Sequence, residues 1–296
     1  MNTPIIDIAD LSKFYGKARG IEDINLEINE GEIFGFIGPN GAGKSTTIRI
    51  LMNMIFPTSG SARIMGMDVI RETKKIKTQV GYIPSDANAY TSMDVREFLT
   101  YCIAFYNVKN GEQRIRELSG LFELDLNRKI ADLSLGNRKK VSIVQSLLHR
   151  PRLLILDEPT TGLDPLMQSV FFELLRSENQ NGMTIFFSSH ILSEVQMLCK
   201  RVAIIKEGRI IQLEDIDNLR KKQLKKVSVE FDSSADKESI IIPGTENVIT
   251  GPGNMLTFMY SGDLNELIGL LTGKKLNNLM IEEPSLDEIF LHYYRS

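Results

Sequence analysis

Cysteine and histidine are scarce in this sequence. Its two cysteines, Cys102 and Cys199, lie far apart and outside any C-x-x-C spacing, which excludes a disulfide framework and suits a reducing compartment. The three histidines, His149, His190 and His292, do not cluster, so no zinc site is expected. An excess of one charge is missing too. Lysine and arginine number 35 against 38 acids, a net charge of −3 at pH 7, and nothing in that balance points to nucleic acid as a partner. No run of about 18 apolar residues occurs, so the chain is not expected to span a membrane. The first residues carry Asp7 where a signal peptide would carry lysine or arginine, and they lack its apolar core. Work at a membrane would then need another protein as anchor. What is present is globular: 296 residues with 42% hydrophobic content, enough for one large domain and a small one.

The chain is organised around Gly38, Pro39, Asn40, Gly41, Ala42, Gly43, Lys44 and Ser45, which read G-x-x-x-x-G-K-S. That is the pattern of a phosphate-binding loop. Context supports it. Glu32–Ile37 is a short apolar run that suits a buried strand, and Thr46 opens a stretch with apolar residues at helical spacing. The glycines let successive N–H groups face an anion, and the helix start adds partial positive charge. Lys44 has the reach for β- and γ-phosphates, and the Ser45 hydroxyl suits Mg²⁺.

A second stretch, Leu153–Glu158, places four apolar residues before two carboxylates. Such a run suits a strand buried on both faces of a parallel sheet, whose C-terminal end is where ligands bind. Asp157 suits Mg²⁺ through water, and Glu158 suits polarising an attacking water. Carboxylates there are often only turn residues or caps; a phosphate loop in the same chain favours the chemical role. Met183–Ser189 reads as another buried strand, and His190 follows it, placed to meet a γ-phosphate.

The remaining elements are read more coarsely. Strands are expected at Ile5–Ile8, Ile24–Ile28, Ala62–Met65 and Val80–Pro84, with a basic, solvated helix over Arg71–Lys77. Tyr15, between the first two strands, suits stacking on a base or ordinary packing. Residues 94–150 have helical period. Asp94 with Glu97 forms a capping-box pattern ahead of Phe98, Leu99, Cys102 and Phe105 on one face. Helices follow over Gly111–Leu124 and from Leu133 onward. Asp164 and Pro165 start another, with Leu166, Val170, Phe171, Leu174 and Leu175 inward, stopping at Asn181-Gly182. Val202–Leu213 reads as a hairpin turning at Glu207-Gly208. Composition changes at 218–226, a basic run that suits a solvated linker or contact with anionic lipid. Beyond it, strands at Val227–Phe231, Met255–Tyr260 and Asn278–Ile281, a helix over Leu264–Leu271 and a last helix from Pro284 with Leu286, Ile289, Phe290 and Tyr293 make a small α+β unit.

Taken in order, these motifs resemble the nucleotide-binding subunit of an ABC transporter over residues 5 to about 215. Tyr15 matches the aromatic loop that stacks on adenine, Gly38–Ser45 the Walker A motif, Leu133–Asn137 the signature L-S-G-G-Q, Leu153–Glu158 the Walker B motif, Thr161–Asp164 the D-loop and His190 the switch histidine. Glu283–Phe290 resembles the C-terminal extension of the drug- and bacitracin-export branch. The resemblance implies an α/β fold: a P-loop NTPase cassette with a RecA-like core, an antiparallel β subdomain and a helical subdomain. It implies an ATPase domain over 1–217 with a helical insertion at about 88–150, a basic linker over 218–226 and an accessory α+β domain over 227–296. It implies ATP and Mg²⁺ as cofactors, with Glu158 and His190 catalytic, Ser45 and Asp157 on the metal, and Tyr15, Gly38 to Thr46, Ser134 and Gly136 on the nucleotide. The partners implied are a membrane permease and a second ATPase subunit, expected as a homodimer, at the cytoplasmic face of the cell membrane, with no nucleic acid. Two such subunits would face head to tail, ATP lying between Walker A of one and the signature of the other. Two positions depart from the pattern. Ser85 stands where the Q-loop glutamine falls, and Leu135 and Asn137 replace Gly and Gln of the signature. Slow but real hydrolysis is expected. A soluble ABC protein and a hydrolysis-poor ATP switch are the alternatives.

Overall fold

Alternation of apolar and polar residues builds the first sheet. In β1 (Ile6–Tyr15) and β2 (Ala18–Ile28), Ile6, Ile8, Leu11, Ile24, Leu26 and Ile28 point inward and are buried, the period-two pattern of strands with one wet face. They pair antiparallel and continue through β4 (Ser59–Ile64) to β5 (Met67–Asp68), in the order β2-β1-β4-β5. The structure, a computed structural model, describes residues 4–85, 92–221, 225–233, 245–250 and 253–282. The helix expected from Pro284, with Leu286, Ile289, Phe290 and Tyr293, lies outside the described residues. The chain divides into two compact units, Met1–Glu214 and Asp215–Ser296.

The second sheet of the first unit has the order β10-β9-β3-β8-β7-β6. Its strands β3 (Ile33–Ile37), β6 (Val80–Ile83), β7 (Leu153–Asp157), β8 (Thr184–Ser189) and β9 (Arg201–Lys206) run parallel. Strands β3, β7 and β8 are buried at every position, as continuous apolar runs require when both faces of a parallel sheet are covered. Helix α1 (Lys44–Leu51) fills one face: Ile48 and Leu51 share a single core with Ile6 and Leu26 of the first sheet and Phe34, Phe36 and Ile155 of the second. Helices α6 (Pro165–Gln180) and α7 (Leu192–Leu198) pack against β8, and α7 also against β3. The hairpin to β10 (Arg209–Asp215) turns at Glu207 and Gly208, both with positive φ, 47° and 78°, a pair that matches strand twist.

The helical block holds α3 (Val95–Phe105), α4 (Gly111–Leu121) and α5 (Leu135–Leu147); the short α2 (Thr73–Lys77) precedes β6. The capping box at α3 forms in full, Glu97 N donating to Asp94 Oδ1 at 2.8 Å and Asp94 N to Glu97 Oε2 at 3.1 Å. Two expected core positions are corrected. Phe105 is 71% exposed, because α3 ends there and Tyr106 takes the inward place, stacked on His149 with centroids 4.0 Å apart. Leu166 is 68% exposed: the inward stripe of α6 is Met167, Phe171, Phe172 and Leu175, so Leu166 falls just outside it.

In the second unit, β11 (Lys225–Phe231), β12 (Thr245–Thr250), β13 (Met255–Tyr260) and β14 (Leu276–Glu282) form a sheet ordered β12-β13-β11-β14. Helix α9 (Leu264–Leu271) covers it, Leu267 and Leu271 packing with Val227, Val229, Phe231 and Phe258. Strand β12 has only Val248 and Ile249 as apolar residues, too few to signal it in the sequence. The basic run is not all linker: helix α8 (Ile216–Lys221) covers its start and β11 begins at Lys225.

Candidate active site

Strand order brings the motifs together. β3, β8 and β7 are neighbours, so the loop after β3, Asp157 at the end of β7 with Glu158 after it, and Ser188 and Ser189 of β8 with His190 after them all emerge at the C-terminal edge of one sheet, where such sheets bind ligands. The loop Gly38–Gly43 leads directly into α1. Gly43 is its N-cap at φ 111°, with no side-chain bond to the helix, a conformation L-residues rarely adopt. The first N–H groups of α1 therefore have no intrahelical acceptor and no cap. Asn40 and Gly41 are exposed at the tip, Pro39, Ser45 and Thr46 are half-buried, and Ala42 is buried. A chain of backbone bonds ties the loop to the hairpin: Gly208 N donates to Ala42 O at 2.8 Å, and Gly38 N to Ser189 O at 3.4 Å.

Lys44 is only 4% exposed. Its ammonium donates to Gly38 O at 2.7 Å and Pro39 O at 3.2 Å and pairs with Glu158 Oε1 at 3.1 Å. The other carboxylate oxygen of Glu158 lies 3.3 Å from His190 Nδ1. Glu158 itself has φ 48°, a left-handed conformation that costs a non-glycine residue about 1–2 kcal/mol. Its N–H donates to Ser188 O at 3.2 Å. Asp157, 1% exposed, accepts from Ser188 Oγ at 3.1 Å, and the Ser45 hydroxyl faces the same carboxylate. Burial pushes its carboxyl above the ordinary range; the Ser45 and Ser188 hydrogen bonds oppose that, the Glu158 charge adds to it and Lys44 opposes it.

Tyr15 is 49% exposed. Lys13 Nζ stands 5.3 Å from its ring centre, and the ring and Thr46 flank Gly20, as a Cβ there would meet Tyr15 Cε2 at 2.8 Å and Thr46 Cγ2 at 3.3 Å. The ring thus stands beside the first turn of α1. Ser134 and Gly136 contact other parts of the chain. Ser134 Oγ caps α5, accepting from Asn137 N at 3.3 Å, and Gly136 lies against the carbonyl of Gly162. Ser188, which fixes Asp157, and Lys139, which reaches Glu158 O, carried no motif. Lys139 shares the inward stripe of α5 with Ser142, Ile143 and Ser146, so helical period alone marks it as an inward cation.

A glycine loop, buried lysine and strand-end carboxylates on one sheet edge define a phosphate-loop nucleotide-binding protein. Comparison with known proteins narrows the class. The sequence profile described as ABC transporter matches residues 21–161. The chain is 36% identical over 297 residues to the bacitracin transport ATP-binding protein BcrA of Bacillus licheniformis, with 97% of this chain and 96% of that one covered. It is 29% identical over 303 residues to the linearmycin resistance ATP-binding protein LnrL of Bacillus subtilis (strain 168), with 97% of each covered. A solved ATP-binding subunit of an ABC transporter superposes with TM-score 0.69 at 31% identity, over 73% of this chain and 92% of that one. A dimeric ATP-binding cassette in a post-hydrolysis state, bound to ADP and Pi, gives TM-score 0.66 at 25% identity, over 71% and 98%. The chain belongs to the ABC transporter family. It is an ATP-binding, ATP-hydrolysing member, and its fold is the α/β cassette of that family.

Proposed function

We propose that this chain drives an export permease carried on another polypeptide, for cargo of the drug, peptide or lipid class. The relatives above, named for bacitracin transport and linearmycin resistance, support the cargo class. The observation that carries the catalytic reading is the Glu158 carboxylate, bridged between Lys44 and His190 beside the glycine loop. On this reading the loop Gly38 to Thr46, through backbone N–H groups and Lys44, binds the β- and γ-phosphates of ATP, and Tyr15 stacks on adenine. Ser45 and Asp157 fit a hard divalent cation: a hydroxyl and a carboxylate that face one another at one sheet edge, both oxygen donors. A Mg²⁺ held by these two residues would supply positive charge to the phosphate oxygens.

The residues then act in sequence. Phosphate competes with Glu158 for Lys44, so the ammonium exchanges one anion for another. Glu158, released on that side and still held by His190, orients a water and accepts its proton. Ser134 and Gly136 of a second copy close the site, the signature helix start facing the phosphates. A solved relative described as dimeric supports that pairing. The chain would work at the cytoplasmic face of the membrane through its permease, with the unit beyond Asp215 as an accessory domain. Glu158→Gln tests the assignment by removing charge at nearly constant shape. Turnover is expected to fall by about 100-fold or more, while binding of a fluorescent ATP analogue stays within a few-fold. Turnover at the wild-type rate would refute the assignment. ATP binding without turnover in the unaltered protein would favour the switch reading that Ser85 suggests.

A further inference from the structure

A second buried lysine stands on the other side of Glu158. Lys139 lies in α5 and is 1% exposed. Its ammonium donates to Pro84 O at 2.9 Å, Ser85 O at 2.9 Å and Glu158 O at 3.3 Å. An ammonium donates through its N–H bonds, and each of these three carbonyls accepts from it. Burying such a charge is costly unless it is hydrogen-bonded, so the three bonds hold the side chain where it is. The carbonyls belong to two segments that leave adjacent parallel strands, β6 and β7. The lysine belongs to a third element, the helix that Ser134 caps.

We propose that Lys139 is a positioning residue for Glu158. The Glu158 backbone is left-handed, with φ 48°, and its carbonyl is one of the three that Lys139 holds. Fixing that carbonyl fixes the peptide plane on the C-terminal side of Glu158, and with it the direction in which the carboxylate leaves the chain. The same ammonium grips the backbone at Ser85. Beside the direct pairing of β6 with β7, the β6 exit is tied to the catalytic edge through the Ser85 carbonyl and Lys139. The helix bearing Ser134 and Gly136 is thereby fastened to Glu158. A shift of that helix, as when a second copy closes, is passed to the carboxylate through one side chain. The inference rests on Glu158 acting on water, as proposed above.

The test uses the full-length chain and ATP turnover, with Lys139→Met, Lys139→Gln and Glu158→Gln. Methionine keeps the buried length and removes every donor; glutamine keeps two donors and no charge. Lys139→Met is expected to lower kcat by about tenfold or more with KM for ATP and analogue binding within about twofold, and Lys139→Gln to lie between it and wild type. Should the methionine variant fail to fold, the glutamine variant alone decides by its kcat. On the Glu158→Gln background neither Lys139 change should lower kcat further, because residues that act as a unit are not additive. Wild-type kcat in both Lys139 variants, with Glu158→Gln impaired, would overturn the positioning role. A Lys139 loss that multiplies in full onto Glu158→Gln would overturn it as well, since the lysine would then act elsewhere. Full turnover by Glu158→Gln would instead remove the reading on which the inference rests.

Discussion

Gly136→Ala sets two physical effects against each other at the start of α5. In a helix, alanine is favoured over glycine by up to about 1 kcal/mol. Here, however, an added Cβ would lie 2.5 Å from the carbonyl oxygen of Gly162, where ordinary contact begins at 3.4 Å. The two backbones must separate by the difference, about 0.9 Å. Gly162 has φ 84° and sits in the exposed turn between Glu158 and the α6 cap Asp164, so moving it displaces the segment that follows Glu158. Overpacking of this kind costs about 1–3 kcal/mol, which leaves the protein between unchanged and about 2 kcal/mol less stable once the propensity gain is subtracted. Function should suffer far more, because a displacement near 1 Å in a positioned site costs about 100-fold in rate. Gly120→Ala is the control. It lies in α4, and its Cβ would meet nothing within 4 Å, so only the propensity gain applies: about 0.5–1 kcal/mol of added stability with unchanged turnover. The assay is thermal unfolding by circular dichroism alongside steady-state ATP hydrolysis. A Gly136→Ala protein that hydrolyses ATP at the wild-type rate would refute the reasoning, whatever its melting temperature.

Two further outcomes follow from the structure. Burial holds the His149 imidazole below its ordinary value of 6.5, with the Val80 carbonyl opposing that shift. Its folded value is thus lower than its unfolded one, so the stability it allows is complete above about pH 6.5 and is lost as pH falls through the folded value; His149→Gln should flatten the pH dependence of unfolding in that range, and an unchanged slope would contradict the assignment. Met54, 50% exposed, lines a cavity of about 300 Å³ with Tyr82, Phe98 and Tyr106 and with the polar Lys77, Gln145 and His149, and Phe105, next to Tyr106, is 71% exposed. The chain should co-purify in mild detergent with a polytopic membrane protein; recovery with ribosomal or DNA-bound proteins instead would refute the permease reading.

What the sequence determined by itself is local. The strand–loop–helix around Lys44, the caps Asp94 and Asp164 and the turn at Glu207-Gly208 depend on residues a few positions apart, because caps and tight turns are settled by side chains bonding to nearby backbone. The candidate site was legible to the same extent: each motif showed its own chemistry, and the long apolar runs of β7 and β8 marked strands buried on both faces. The meeting of Lys44, Glu158 and His190 was decided only by the strand order β3-β8-β7, since nothing in one segment states which strand will lie beside it. The same holds for faces. Period places Phe105 and Leu166 with their apolar neighbours, but exposure depends on whether another element covers that side, and among the described residues none does. Lys139 shows the limit most clearly. Helical period turns it inward, but the carbonyls that it meets there come from two loops that only the tertiary structure brings together.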